Sequence, residues 1–325
     1  MAIVGSGFAG LGMAIRLREA GIEDFVVLEK ADHVGGTWRD NRYPGCACDV
    51  PSHLYSFSFA PNPEWTSTFS SQPEIWDYLR GCAERYGVMA HIRFGHELLD
   101  AAWDEELQRW RLETSQGELT AQALVLGTGP LSAPSIPDLP GLERFAGTTF
   151  HSATWDHDHD LDGERVAVIG TGASAIQFVP QIQPRVGRLH LFQRTAPWIM
   201  PRRDRPLKGW ERRLYRALPP AQLLMRAGIY WARESFVLGF RHPRVMRWGQ
   251  RLALRHLHRQ VRDPELRRML TPTYRMGCKR VLISNDYLPA LGRENVEVVT
   301  EAIGEVRQRS IASGSDARTP VGMSA

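Results

Sequence analysis

The residues best placed for chemistry stand at the start of the chain. In "AIVGSGFAGLGMAIRLREAG" a short apolar run leads into Gly5-x-Gly7-x-x-Gly10 and then into helical apolar spacing. Gly5 permits a tight turn, Gly7 lets a pyrophosphate approach the backbone, and Gly10 lets helix and strand pack closely. Ser6, Phe8 and Ala9 complete a loop that opens a helix, where free N–H groups attract phosphate. A second apolar run, "FVVLEK", ends in Glu29 and Lys30, with Glu29 placed 19 residues after Gly10. A carboxylate there accepts hydrogen bonds from ribose hydroxyls. Strand, helix and acid in register make a complete dinucleotide fingerprint.

The pattern recurs in "ERVAVIGTGASAIQFVPQI", where Gly170, Thr171, Gly172, Ala173, Ser174 and Ala175 form the second loop. Its second strand, "LHLFQRT", ends in Arg194 and Thr195. Glu29 and Arg194 each stand 24 residues after the first glycine of their loop, so one topological position is expected to carry an anion first and a cation second. A carboxylate repels a 2′-phosphate and a guanidinium pairs with it. Unit one is therefore expected to take an unphosphorylated ribose, FAD or NAD, and unit two NADPH.

Elements must hold these loops. Between them lies "GGTWRDNRYPGCACDVPSHLY", in which Gly36, Thr37, Trp38, Tyr43, Asp49 and Tyr55 offer a close backbone approach, flat rings and a carboxylate. "SSQPEIWDYLRGCAERYG" predicts a helix with Ser71 and Glu74 in capping-box spacing and Pro73 in its first turn. Residues 101–126 alternate as antiparallel strands with a turn at Gly117, before a buried strand and Gly127-Thr128-Gly129. Pro130, Pro134, Pro137 and Pro140 read as a linker.

Composition excludes much. Hydrophobic residues make up 43% and charged residues 23% of 325, as in a globular protein. Four cysteines without a C-x-x-C pair suit neither a disulfide framework nor a zinc site, and reduced thiols point to the cytoplasm. No apolar run reaches the roughly 18 residues of a membrane span. His157-Asp158-His159-Asp160 reads as a solvated loop rather than a metal site. The net charge of +4 hides an asymmetry, because residues 202–280 hold 21 Lys and Arg against five acids. The arginines are dispersed among apolar residues, so amphipathic helices with a solvated basic face are expected, not nucleic-acid binding. Trp210, Tyr215, Tyr230, Trp231 and Phe236 could line a pocket or fill a core, and core is the expectation for each.

The segment after the linker carries F-x-G-x-x-x-H-x-x-x-W-D without a mismatch, as Phe145, Gly147, His151, Trp155 and Asp156. Residues Gly35 to Asp49 match a second signature, G-G-x-W-x(4)-Y-P-G-x(3)-D. With the two fingerprints, the chain to about residue 305 resembles the FAD- and NADPH-dependent Baeyer–Villiger monooxygenases of the flavin-containing monooxygenase superfamily. The resemblance implies an α/β fold with two Rossmann-like dinucleotide-binding domains, for FAD and NADP, and a helical insertion. It implies an FAD domain over 1–140, an NADP domain over 141–203 and 276–292, the insertion over 204–275, and an incomplete return toward the FAD domain over 293–325.

That resemblance implies insertion of one atom of O2 into a ketone, through a C4a-peroxyflavin, to give an ester or lactone. The peroxide anion needs a fixed cation in a water-poor pocket. Arg280, in "RMGCKRVLISNDYLPAL", is similar to the arginine given that role, and Asp49 to the aspartate that positions it near the flavin. His151 resembles a link between the nucleotide domains. Relatives commonly have Arg-Cys-Asp where this chain has Ala47-Cys48-Asp49. Sulfur or nitrogen oxygenation is the alternative on the same cofactors, and a nucleotide-binding remnant without turnover is another. A flavin disulfide reductase needs a cysteine spacing that Cys46-x-Cys48 does not give. The first strand, starting at Met1, reads as short, and the tail "ASGSDARTPVGMSA" reads as polar and without strand character. The family continues further, so the expectation is a chain shortened at its C-terminus that holds FAD weakly alone.

Overall fold

The computed structural model describes the backbone of all residues except 242, 315, 316, 321, 324 and 325, and side chains except those of 236–244 and 315–325. Two compact units are present. One comprises Met1–Arg42, Ser56–Asn62 and Ser71–Pro134; the other comprises Tyr43–Tyr55, Pro63–Ser70 and Ser135–Ala325.

The first unit is built on a parallel sheet in the order Ile92–Arg93, Val26–Leu28, Ala2–Val4, Leu124–Leu126. The two central strands are wholly apolar and largely buried, as strands covered on both faces are, while Leu126 at the edge is exposed. Ala2–Val4 is only three residues long, yet each residue has a partner on both sides. The helix Phe8–Glu19 turns Leu11, Ala14 and Ile15 inward, against Ile3, Val27 and Leu79. Each leucine and isoleucine among them contributes about 1.5–3 kcal/mol on burial. The helix Gln72–Arg85 starts at the expected capping box, where Glu74 accepts from the Ser71 backbone at 3.2 Å. Leu98–Asp104, Arg109–Thr114 and Gly117–Ala121 form the antiparallel meander expected from the alternation. Its inward residues Leu112 and Ala121 cluster with Ala2 and Leu28.

The second unit repeats the plan. Its parallel sheet runs Val296–Val299, Arg188–Phe192, Arg165–Ile169, Gly322–Met323. The helix Ala175–Ile182 follows the second glycine loop and buries Ile176, Phe178, Val179 and Ile182. The basic segment forms the helices Gly209–Ala217, Pro219–Arg241, Pro243–Gln260 and Pro264–Met269, the last capped by Asp263. Among the described residues no helix is long and apolar enough to cross a membrane.

Two expectations are overturned here. Of the insertion's aromatics Tyr215 is buried, but Trp210, Tyr230 and Trp231 are exposed, by 61%, 47% and 69%. The periodicity marks apolar stripes on these helices but does not fix which aromatics the neighbouring elements cover. Phe236 lies outside the described side chains. The tail is not without strands: Ala317–Pro320 pairs antiparallel with Ser310–Ser313, and Gly322–Met323 pairs parallel with Arg165–Ile169. Ser310–Ser313 already pairs with Ile303–Arg307, so its free edge offers backbone partners whatever the next side chains are.

Candidate active site

The first glycine loop is closed by contact. A Cβ on Gly10 would lie 1.8 Å from the Gly5 carbonyl oxygen, so only glycine lets the helix start this near the strand. Gly7, without a side chain, cannot cap the helix that it begins, and the positive end of the helix dipole there favours an anion. Glu29 is buried directly after the second strand. Its Oε2 accepts from the Ser6 N–H at 2.9 Å and the Ser6 hydroxyl at 2.6 Å. Its Oε1 accepts from the Ala31 N–H at 3.0 Å and from Arg39 Nη1 at 2.9 Å.

Burial alone would raise the Glu29 carboxyl. The Ser6 and Ala31 hydrogen bonds and the Arg39 charge outweigh it, and Glu29 is held below the ordinary carboxylate range. Arg39 is itself buried and also pairs with Asp40, at 2.7 Å. Sequence reasoning missed this counter-ion, although it lies inside the quoted Gly35–Asp49 signature. Elsewhere in the unit, Phe8 packs on Phe57 at 5.3 Å and Trp38 packs against the core. Thr37 opens a short helix, Thr37–Asp40, directly after Gly36, while Ala9 and Lys30 are exposed.

In the second unit Gly170 has φ 109°, close to the 92° of Gly5. Here the loop is open, with no atom within 4 Å of a Cβ built on Gly170 or Gly172. No side chain caps the helix after Ser174. Thr171 donates to the Thr195 carbonyl at 3.3 Å, tying the loop to the end of the second strand. Arg194 is exposed and makes no side-chain hydrogen bond or ion pair among the described residues.

The equal offset of 24 misplaces Arg194 by one residue. Val4 pairs with Leu28, but Ile169 pairs with Phe192. Likewise Gly5 N–H bonds Leu28, and Gly170 N–H bonds Phe192. The counterpart of Glu29 is therefore Gln193, and Arg194 follows it. Gln193 is buried and donates to the Met269 carbonyl at 3.0 Å, on the insertion, instead of turning to the glycine loop. The charge contrast stands one step displaced: a carboxylate in the first unit, a neutral amide followed by a free cation in the second.

The segment Tyr43–Tyr55 belongs to this second unit. Tyr43 is buried and donates its hydroxyl to Gln177 Oε1 at 2.9 Å. Burial pushes the phenol up, so it remains a donor at neutral pH. Burial also pushes the Cys46 thiol up to about 11 and the Cys48 thiol up to about 12. Asp49 Oδ2 accepts from Arg280 Nη2, joining the two residues that the resemblance pairs. Nε and Nη1 of Arg280 bond to nothing among the described residues, and its side chain is 61% exposed. These residues alone therefore do not supply a water-poor pocket. Tyr55 ends the turn from Pro51.

Trp155 packs between Phe150 and Phe178, each at 5.1 Å, so its signature is read by the Ala175–Ile182 helix. His151 caps a short turn, with Nδ1 accepting from the Ala153 N–H at 3.1 Å. His159 bonds Glu164 at 3.0 Å, and no described cluster of His, Cys, Asp or Glu could hold a metal ion.

Comparison with known proteins agrees with this geometry. The pattern of the pyridine nucleotide-disulphide oxidoreductase family matches residues 2–212. The chain is similar to a Baeyer-Villiger monooxygenase of Streptomyces coelicolor, with 56% identity over 98% of this chain and 62% of the relative. It is similar to another of Pseudomonas aeruginosa, with 55% identity over 97% and 60%. The chain thus spans about 60% of the length of these curated relatives. A crystal structure of cyclohexanone monooxygenase in an open form superposes with a TM-score of 0.87 at 28% identity, over 99% of this chain and 71% of that one. A steroid monooxygenase bound to NADP superposes at 0.84 and 30% identity, over 99% and 70%. The chain belongs to the pyridine nucleotide-disulphide oxidoreductase family, and two relatives at 55–56% identity are Baeyer–Villiger monooxygenases.

Proposed function

We propose that the chain is the nucleotide-binding portion of an FAD- and NADPH-dependent Baeyer–Villiger monooxygenase of the cytoplasm. The reaction converts ketone, O2, NADPH and a proton to ester or lactone, NADP+ and water. The observation that carries the reading is the Asp49–Arg280 pair, in a chain with two glycine loops, one facing a carboxylate and the other an amide followed by a cation. Bound FAD supplies oxygen activation and NADPH the reducing electrons.

The chain's own residues bind and orient. Gly5 to Gly10 and the helix start that follows would hold the FAD pyrophosphate. Glu29, held ionised, would meet the ribose hydroxyls, with Ser6 Oγ the partner that yields. Gly170 to Ala175 would hold the NADPH pyrophosphate, and Arg194 with Thr195 its 2′-phosphate. Asp49 fixes one edge of Arg280 and leaves Nε and Nη1 to face negative charge developing on oxygen. The four free cysteines accord with a reducing compartment.

The test is product analysis by mass spectrometry with added FAD, NADPH and 18O2, offering cyclic and aliphatic ketones beside sulfides and amines. An ester or lactone carrying one 18O supports the reading. A sulfoxide or N-oxide formed in place of any ester would move the assignment to heteroatom oxygenation.

A further inference from the structure

The helix Ala175–Ile182 has a second task besides ending the phosphate loop. Gln177 lies in its first turn and its side chain faces the segment that carries Asp49. Oε1 accepts from the Tyr43 hydroxyl at 2.9 Å and from the Ala47 N–H at 3.3 Å. Nε2 donates to the Ala47 carbonyl at 2.9 Å. One carboxamide thus satisfies both backbone groups of a single residue and the hydroxyl at the start of the loop. The loop also abuts the helix directly: a Cβ on Gly45 would lie 2.9 Å from the Gln177 carbonyl and 2.9 Å from Gln181 Cγ. Ala47 has no polar side chain to anchor itself, so its backbone is the handle.

Two residues beyond Ala47 stands Asp49. The intervening Cys48 is fixed by its N–H on the Ser70 carbonyl at 2.9 Å, and its thiol accepts from the Val50 N–H at 3.3 Å. The two residues before Asp49 are therefore held, Ala47 by the helix through Gln177 and Cys48 by the Ser70 carbonyl. Both ends of this chain of contacts lie in one unit. We propose that Gln177 is a positioning residue: it transmits occupancy of the Gly170–Ala175 phosphate cradle to the loop 43–49, and so sets Asp49 against Arg280. The inference rests on the reading of that cradle as the NADP(H) site. A dinucleotide phosphate that orders the helix start tightens the same helix that grips Ala47.

Hydrogen–deuterium exchange of the full chain, with and without NADP+, tests this. In the parent, NADP+ is expected to protect residues 43–49. In Gln177→Ala, exchange of 43–49 is expected to rise about tenfold, the loss of roughly one net hydrogen bond, while Arg165–Ile169 exchanges as in the parent. The NADP+-dependent protection of 43–49 disappears, although NADP+ affinity by calorimetry changes less than about threefold. Gln177→Glu keeps the volume and both accepting contacts but sets an oxygen against the Ala47 carbonyl, and it should release the loop equally. A loop as protected in both variants as in the parent overturns the proposal. A parent that binds no NADP+ overturns the cofactor reading and the coupling together, whereas NADP+ binding with persistent loop protection in the variants overturns Gln177 alone.

Discussion

Arg280 and Asp49, 231 positions apart, meet as an ion pair, and the carboxylate is the more buried partner. Asp49 is backed by fixed backbone, while Arg280 keeps two donors unbonded among the described residues. Such a pair orients a cation without consuming it. Arg280→Ala is expected to lower ketone oxygenation by about 10²–10³-fold, as loss of one preorganised charge does. Flavin reduction by NADPH, followed anaerobically at the flavin absorbance, should persist. Loss of both steps together would place Arg280 in nucleotide binding instead.

Arg194→Ala should weaken NADP+ binding by about 10- to 100-fold, the size of a lost charge-assisted hydrogen bond. Affinity for NAD+ should stay within about twofold. Calorimetry with both nucleotides decides it, and an equal loss for both would contradict a 2′-phosphate role.

The two loops should answer a methyl group differently. Gly10→Ala forces a Cβ into the Gly5 carbonyl and should destabilise the first unit by about 3 kcal/mol or more. Gly172→Ala meets open space, so its melting temperature should stay near the parent's while NADP+ binding falls at least about tenfold. Thermal melts paired with NADP+ titration check both halves.

Stability should fall in mild acid. His53 and His190 are buried, and burial lowers the proton affinity of each. Glu211 opposes the shift at His53 while Arg205 adds to it; at His190, Glu297 opposes it while Arg188 and Arg165 add to it. Below the ordinary histidine value of 6.5 the unfolded chain takes up protons that the folded sites refuse. Their stabilising contribution is complete above that value and is lost as pH falls, by about 1.4 kcal/mol per pH unit per site. Urea midpoints at pH 7.5 and 5.5 measure the slope. His53→Gln should flatten it by one proton's share, and an unchanged slope would contradict the assignment.

The parts of the fold carried by local pattern were readable from sequence. The Ser71 capping box, the Gly117 turn and both strand–glycine–helix units depend on neighbours a few residues apart. What depended on long-range packing was not. The offset of 24 could not show that the second unit pairs one residue shorter, with Gln193 drawn away to Met269. The Asp49–Arg280 pair was reached through resemblance, since no spacing rule joins positions so far apart. Gln177 carried no signal, because a glutamine on an apolar helix looks the same whether it faces solvent or grips a loop. The exposed Trp210, Tyr230 and Trp231 show that periodicity marks an apolar stripe but not what covers it.

On the proposed function, one chain should hold two dinucleotide sites of different ribose preference. Calorimetric titration of the apoprotein with FAD, NADP+ and NAD+, separately and in sequence, tests it most directly. One FAD and one NADP+ should bind per chain, each in the presence of the other, with NAD+ at least about tenfold weaker than NADP+. FAD and NADP+ displacing each other from one site, or NAD+ binding as tightly as NADP+, would contradict it.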